Sequence, residues 1–93
     1  MITKSFVIKN QYGIHARPAR MIVEEASKFR SDVWLSKNGE EINAKSIMGI
    51  LMLEARKDTK LVLRVSGEDE ETAVNALMDV LNKISSMTEW AKK

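Results

Sequence analysis

Along this 93-residue chain the spacing of the apolar residues switches back and forth between two and about 3.6, and in each segment they lie along one side. A chain built this way closes its core between one face of a sheet and a layer of helices. Ile2, Phe6 and Ile8 alternate with polar residues, with the stem of Lys4 on the same side, and predict a first strand. From Ala16 the period lengthens: Ala16, Ala19, Ile22, Val23, Ala26 and Phe29 form the stripe of a helix expected to end between Lys28 and Arg30. Val33 and Leu35 return to period two and are followed by Asn38-Gly39, a dipeptide that tolerates positive φ at both centres of a type I′ turn, so a hairpin of two short strands is expected. Ser46 is placed to cap a short helix carrying Ile47, Ile50 and Leu51, which Gly49 keeps brief. Leu61, Leu63 and Val65 mark the next strand, and Gly67 ends it. The segment "EDEETAVNALMDVLNKI" then loads a helix start with acids, favourable beside the positive end of the helix dipole, and lines up Ala73, Val74, Leu77, Leu81 and Ile84.

The resulting order, β-α-β-β-α-β-α, predicts an α+β fold: an open-faced sandwich of a four-stranded antiparallel sheet with three helices on one face. Residues 1–93 are short for two hydrophobic cores and are expected to form a single domain, with 85–93, including Trp90, fraying from the last helix. At 44% apolar and 30% charged residues, the composition is that of a globular chain. There is no cysteine, which rules out disulfides, thiolate nucleophiles and Cys-ligated zinc. The first residues carry charge before any apolar leader could develop, and the longest apolar run, "IMGILMLEA", is too short to span a bilayer; a cytoplasmic protein without membrane insertion is expected. The net charge of +2 comes from fifteen Lys and Arg scattered among thirteen Asp and Glu. With 5% aromatics and no GxxG loop, nucleic acid is not an expected partner.

The single histidine stands in "YGIHARPARM". Gly13 permits a backbone turn, and Pro18 is tolerated in a first helical turn, where an amide would lack an internal partner. These two residues bracket a helix start and put His15 at or beside the N-cap, next to the amides of Ala16 and Arg17. Such a place suits an anion attached to the imidazole, and the Arg17 guanidinium could grip phosphate oxygens in bidentate fashion. Taken alone, the residues describe an anion seat with a nucleophile inside it; a plain loop or cap histidine stays open as the alternative.

Two motifs together, "GIHARPA" and, some thirty residues later, "AKSIMG", resemble HPr, the histidine-containing phosphocarrier family of the bacterial phosphotransferase system. The resemblance runs from the first strand to the last helix. It implies a phosphoryl carrier and not an enzyme, with no cofactor and no metal: a phosphoryl group passes from phosphoenolpyruvate through enzyme I to the carrier and onward to EIIA domains of sugar transporters. His15 then matches the histidine phosphorylated on Nδ1, and Arg17 the active-site arginine. Ser46 matches the serine that HPr kinase/phosphorylase modifies in Gram-positive members, a modification that brings in a transcriptional regulator. The first and second helices match the partner-docking patch, which here contains Arg20, Ile47, Met48, Leu51 and Met52. Ile50 and Leu53 are expected to face the sheet. A small carrier with one docking face is expected to be a monomer.

The chain departs from the family pattern in "LMLEARKDTKL", where Glu54 and Arg56 stand in a loop that usually carries glycine, near the active histidine. That stretch also resembles the nitrogen-related branch, NPr, whose phosphoryl chain serves regulation; a regulator acting through Ser46 alone is the other alternative.

Overall fold

The computed structural model describes residues 1–86. Four strands, β1 (Ile2–Val7), β2 (Asp32–Lys37), β3 (Glu40–Asn43) and β4 (Lys60–Ser66), alternate with three helices, α1 (Ala16–Ala26), α2 (Ile47–Met52) and α3 (Glu70–Ser86). The strands form one antiparallel sheet in the order β1-β4-β2-β3. The expected open-faced sandwich is therefore what forms, with α1 packed against both α2 and α3.

Period two decides the sheet. Val33 and Leu35 of β2 and Leu61, Leu63 and Val65 of β4 are all buried beneath the helices, each contributing about 2 kcal/mol of apolar burial. Their helical counterparts are Ala19, Ile22 and Ala26 of α1, Ile50 of α2, and Ala73, Val74, Leu77, Leu81 and Ile84 of α3. The opposite face is mostly polar. There Arg64 of β4 lies 4.2 Å above the Trp34 ring of β2 and donates two hydrogen bonds, of 2.9 and 2.6 Å, to the Glu41 carboxylate of β3. One guanidinium thus ties three strands together on the open side. At the hairpin, Asn38 (φ 52°) and Gly39 (φ 85°) both take the left-handed conformation expected of a type I′ turn.

Two details of α1 depart from the expected stripe. Ala16 is exposed, because the first helical residue projects before the helix reaches the sheet. The helix also ends at Ala26 and not between Lys28 and Arg30, passing through turns in which Lys28 donates to the Glu25 carbonyl and Phe29 to that of Ala26. The reason lies in α3. The backbone amides of Arg30 and Ser31 donate to the two oxygens of the Asp69 carboxylate, both at 3.0 Å, and the Ser31 hydroxyl adds a third, short bond. Asp69, at the start of α3, draws the chain away from helical bonding and aims it into β2. The last helix continues through Ser85 and Ser86, which were expected to fray; the rest of that segment, with Trp90, lies outside the described residues.

A second seam holds the loop before α1. Asn10 and Gly13 close a turn (Gly13 amide to Asn10 carbonyl, 3.2 Å), and the buried Asn10 amide group donates back to the Gly13 carbonyl at 2.6 Å. The Ile14 amide then reaches across to the Ala55 carbonyl at 2.8 Å. Gly13 has φ 65°, and a Cβ there would fall 2.2 Å from the Ala55 oxygen and 2.8 Å from Arg56 Cα, so only glycine lets the two loops touch. On the other side of the seam α2 ends through Leu53 into Glu54, which adopts φ 50°, the left-handed position where helices commonly place glycine.

Hydrogen bonds from Ser31 and from the Arg30 amide hold the Asp69 carboxyl at about 2, below its ordinary 3.8. A depressed carboxylate stabilises the fold above its unfolded value and loses that contribution as pH falls through the folded one. Urea titrations of wild type and Asp69→Asn should accordingly show the variant less stable at pH 7, with the gap closing between about pH 4 and pH 2. A gap that is constant with pH would contradict the assignment. At Glu54, left-handed backbone costs an L-residue about 1–2 kcal/mol, and glycine returns about 0.5–1 kcal/mol of this as unfolded-state entropy. Glu54→Gly should therefore raise unfolding stability by about 0.5–1 kcal/mol, read from the urea midpoint at unchanged slope.

Candidate functional site

His15 is the N-cap of α1. Its backbone is extended (φ −98°, ψ −163°), as a cap requires, and its carbonyl accepts the first intrahelical bond, from the Ala19 amide at 2.9 Å. The imidazole makes no capping bond, so the cap geometry rests on the backbone, and the ring itself is half-buried. Ala16 and Arg17 occupy the first two helical positions, where the helix offers no carbonyl to their amides; Pro18, the third, has no amide and is buried. The ring therefore stands at a helix start whose donors and dipole favour negative charge. Arg17 is exposed on the same turn. Arg20, one turn on, is also exposed and lies 3.4 Å from Glu24, an i,i+4 pair that adds little to stability.

The Gly13–Ala55 seam brings the end of α2 to the start of α1. Along α2, Ile47, Met48 and Met52 remain 39%, 68% and 65% exposed, while Ile50 and the following Leu53 are buried as expected. Leu51 falls between the two groups, half-buried against the core. The exposed trio is apolar surface that the core does not use, on the short helix whose following segment meets the histidine loop at Ala55.

Ser46 caps α2. Its hydroxyl oxygen accepts from the Gly49 amide at 3.0 Å, and its carbonyl accepts from the Ile50 amide. Asn43 positions it: the Asn43 side chain accepts from the Lys45 amide and the Asn43 carbonyl from the Ser46 amide. Lys45 reaches back to the Phe29 carbonyl at 2.9 Å and joins this turn to the end of α1. The structure thus joins the loop before His15 to the segment just after α2 through the Ile14–Ala55 bond, and holds Ser46 at the other end of the same short helix.

Asn10 and Ala55, which hold the histidine loop in place, were not singled out from the sequence. A signal for Asn10 was present: asparagine followed three residues later by glycine is the pattern of a β-turn. Ala55 carried none, because its part is played by a backbone carbonyl. The local charge includes Glu54 and Arg56, whose side chains lie 3.9 Å apart, and Lys37, whose ammonium approaches the Glu54 carbonyl at 3.4 Å.

Comparison with known proteins agrees with this arrangement. The family profile described as "PTS HPr component phosphorylation site" matches residues 2–83. The phosphocarrier protein HPr of Neisseria meningitidis is 44% identical over 82 residues, 88% of this chain and 92% of that protein. HPr of Xylella fastidiosa is 42% identical over 80 residues, 86% of this chain and 90% of its own length. Among solved structures, HPr of Thermoanaerobacter tengcongensis superposes with a TM-score of 0.88 at 41% identity, over 94% of this chain and 98% of that one. The histidine-containing phosphocarrier protein of Mycoplasma superposes at 0.87 and 30% identity, over 90% of this chain and 96% of its counterpart. Sequence and fold, matched over nearly their whole length, place this chain in the HPr family, the phosphocarrier proteins of the phosphotransferase system.

Proposed function

We propose that His15 carries the phosphoryl group, taking it on Nδ1 from phospho-enzyme I and passing it to the EIIA domains of sugar transporters. The observation that supports this most directly is the placement of the imidazole as the N-cap of α1, beside amides that face outward from the helix start. In the forward step the ring nitrogen bonds to phosphorus as phosphorus leaves the donor, and the return step breaks the new bond toward the acceptor. Charge on the three phosphoryl oxygens is met by the Ala16 and Arg17 amides and by the Arg17 guanidinium. The carrier need not hold the phosphoryl group tightly, since a shuttle works best when donor, carrier and acceptor are close in free energy.

Partners dock on Ile47, Met48 and Met52, with Leu51 beneath them. Methionine suits a face that must accept several partners in turn, because its unbranched thioether adapts to different shapes. Arg17 and Arg20 border this face with positive charge and steer acidic surfaces toward it. In this reading the protein is cytoplasmic and acts as a monomer; no helix among its described residues is long and apolar enough to cross a membrane.

Ser46 has a second role in the same scheme, as the substrate of an HPr kinase/phosphorylase, with the phosphoserine form read by a transcriptional regulator. A phosphate at a helix start is tolerated locally, so its effect falls on docking: it sets negative charge beside a face built to receive acidic partners.

Incubation with phosphoenolpyruvate and enzyme I, followed by intact mass and phosphorus NMR, should give an acid-labile phosphoramidate on the wild type and none on His15→Ala. Running sugar-linked and nitrogen-linked enzyme I in parallel separates the two branches; failure of both donors would sink the carrier role. Arg17→Ala should slow transfer roughly tenfold or more, the loss of one charge-assisted contact, while leaving the unfolding midpoint nearly unchanged. Ser46→Asp retains a good N-cap residue, so its stability should stay within about 0.5 kcal/mol of wild type, whereas its transfer rate from enzyme I should drop roughly tenfold or more through like-charge repulsion. Equal rates for Ser46→Asp and wild type would exclude Ser46 as a control point for docking.

A further inference from the structure

The loop after α2 carries two charges that the reading above leaves unused, Glu54 and Arg56. We propose that Arg56 supplies a second guanidinium to the phosphoryl site, pairing loosely with Glu54 while His15 is unmodified and turning to the phosphoryl oxygens once His15 is loaded. This inference rests on the assignment of His15 as the phosphoryl acceptor.

Position comes first. The Arg56 backbone touches the histidine loop: a Cβ on Gly13 would lie 2.8 Å from Arg56 Cα, and the neighbouring Ala55 carbonyl accepts the Ile14 amide at 2.8 Å. His15 is two residues from that contact, about 7 Å of extended chain, which is within the reach of a long arginine side chain. The backbone there is fixed. The Arg56 amide donates to the Thr59 hydroxyl at 3.1 Å, the Thr59 amide returns to the Arg56 carbonyl at 3.0 Å, and the Asp58 amide donates to the Ile8 carbonyl at 2.7 Å. A rigid base beside the site therefore carries a solvated, rotatable head group.

Competition comes second. The Arg56 side chain is 84% exposed, and its carboxylate partner is 71% exposed and 3.9 Å away. A pair so open and so long is weak, because solvent screens it and two side chains must be ordered to keep it. A phosphohistidine offers nearly two negative charges and three acceptor oxygens, and the planar guanidinium donates to two of them at once. Loading His15 therefore draws Arg56 from Glu54, while the freed carboxylate, repelled by the phosphoryl group, favours the same exchange.

Phosphorus NMR of the phosphorylated protein across pH tests this, with Arg56→Ala, Arg56→Lys and Glu54→Gln beside wild type. The other charged groups nearby, Lys9 of the histidine loop, Arg17, Arg20, Glu24 and Glu25 of α1, Lys37 of β2, and Lys57 and Asp58 of the loop after α2, are common to all four proteins. Removing the guanidinium should raise the midpoint of the phosphoryl titration by about half a pH unit, the size expected of an exposed cation a few ångströms from the oxygens. Lysine should restore part of that shift, and Glu54→Gln should move the midpoint the other way. Urea midpoints should remain unchanged in the Arg56 variants, as befits an exposed side chain. If phosphorylated Arg56→Ala titrates as wild type does, the inference is overturned and the role of His15 stands. If the wild type acquires no phosphohistidine, both fall together.

Discussion

Burial of one face of β4 is the constraint on which the other elements depend. Leu61, Leu63 and Val65 are fully covered, and their strand is hydrogen-bonded on both sides, by β1 and by β2. A strand in that position needs a helical layer over its apolar side, and α1 and α3, which pack on each other, provide it together with α2. The opposite side stays open because most of its residues are polar and Trp34, its largest apolar group, is covered by a charged neighbour. One-sidedness leaves the helix starts and the loops between them at the rim of the molecule, where backbone groups can meet a partner.

The candidate site follows from the way two loops are joined at that rim. The loop that carries His15 is placed by backbone: a turn closed by Asn10, a glycine that admits Ala55, and the first turn of α1. Backbone placement has a chemical advantage for a carrier. Oriented amides can stabilise charge on a transferred group without adding a further titratable group beside the ring. The exposed apolar residues proposed for docking stand on α2, whose end leads into the other half of the seam, so the proposed recognition and chemistry would share one support.

What could be read from the sequence was what short-range pattern controls. The inward faces at Val33 and Leu35 and at Leu61, Leu63 and Val65 followed from period two, the Asn38-Gly39 turn from the left-handed conformations both residues accept, and the cap at Ser46 from its hydroxyl and the apolar run behind it. His15 was placed correctly by its flanking Gly13 and Pro18. Interactions between distant segments were not legible. The carboxylate of Asp69 satisfies amides 38 and 39 residues earlier and thereby shortens α1, and no local pattern at Lys28 or Phe29 announces that. The Arg64 contacts to Trp34 and Glu41 likewise depend on strand order, which a single chain's periodicity leaves open. Glu54 illustrates a third case: glutamate gives no hint of left-handed backbone, and the conformation comes from the need to turn α2 back toward the sheet.

The strand order also governs how the molecule comes into being. β1 precedes the other strands in the chain, yet its neighbour in the sheet is β4, with Ile2 opposite Val65, so its edge has no native partner until β4 has been made. Meanwhile α1 and the β2–β3 hairpin can form from contacts near in sequence. Arrival of β4 then completes the sheet in one stroke, bonding to β1 on one side and β2 on the other, and the same event brings the Ile8 carbonyl to Asp58 and the Ile8 amide to Thr59 at the base of the histidine loop. The site is consequently among the last parts to be assembled, and a nascent chain cannot present it before the sheet behind it has closed.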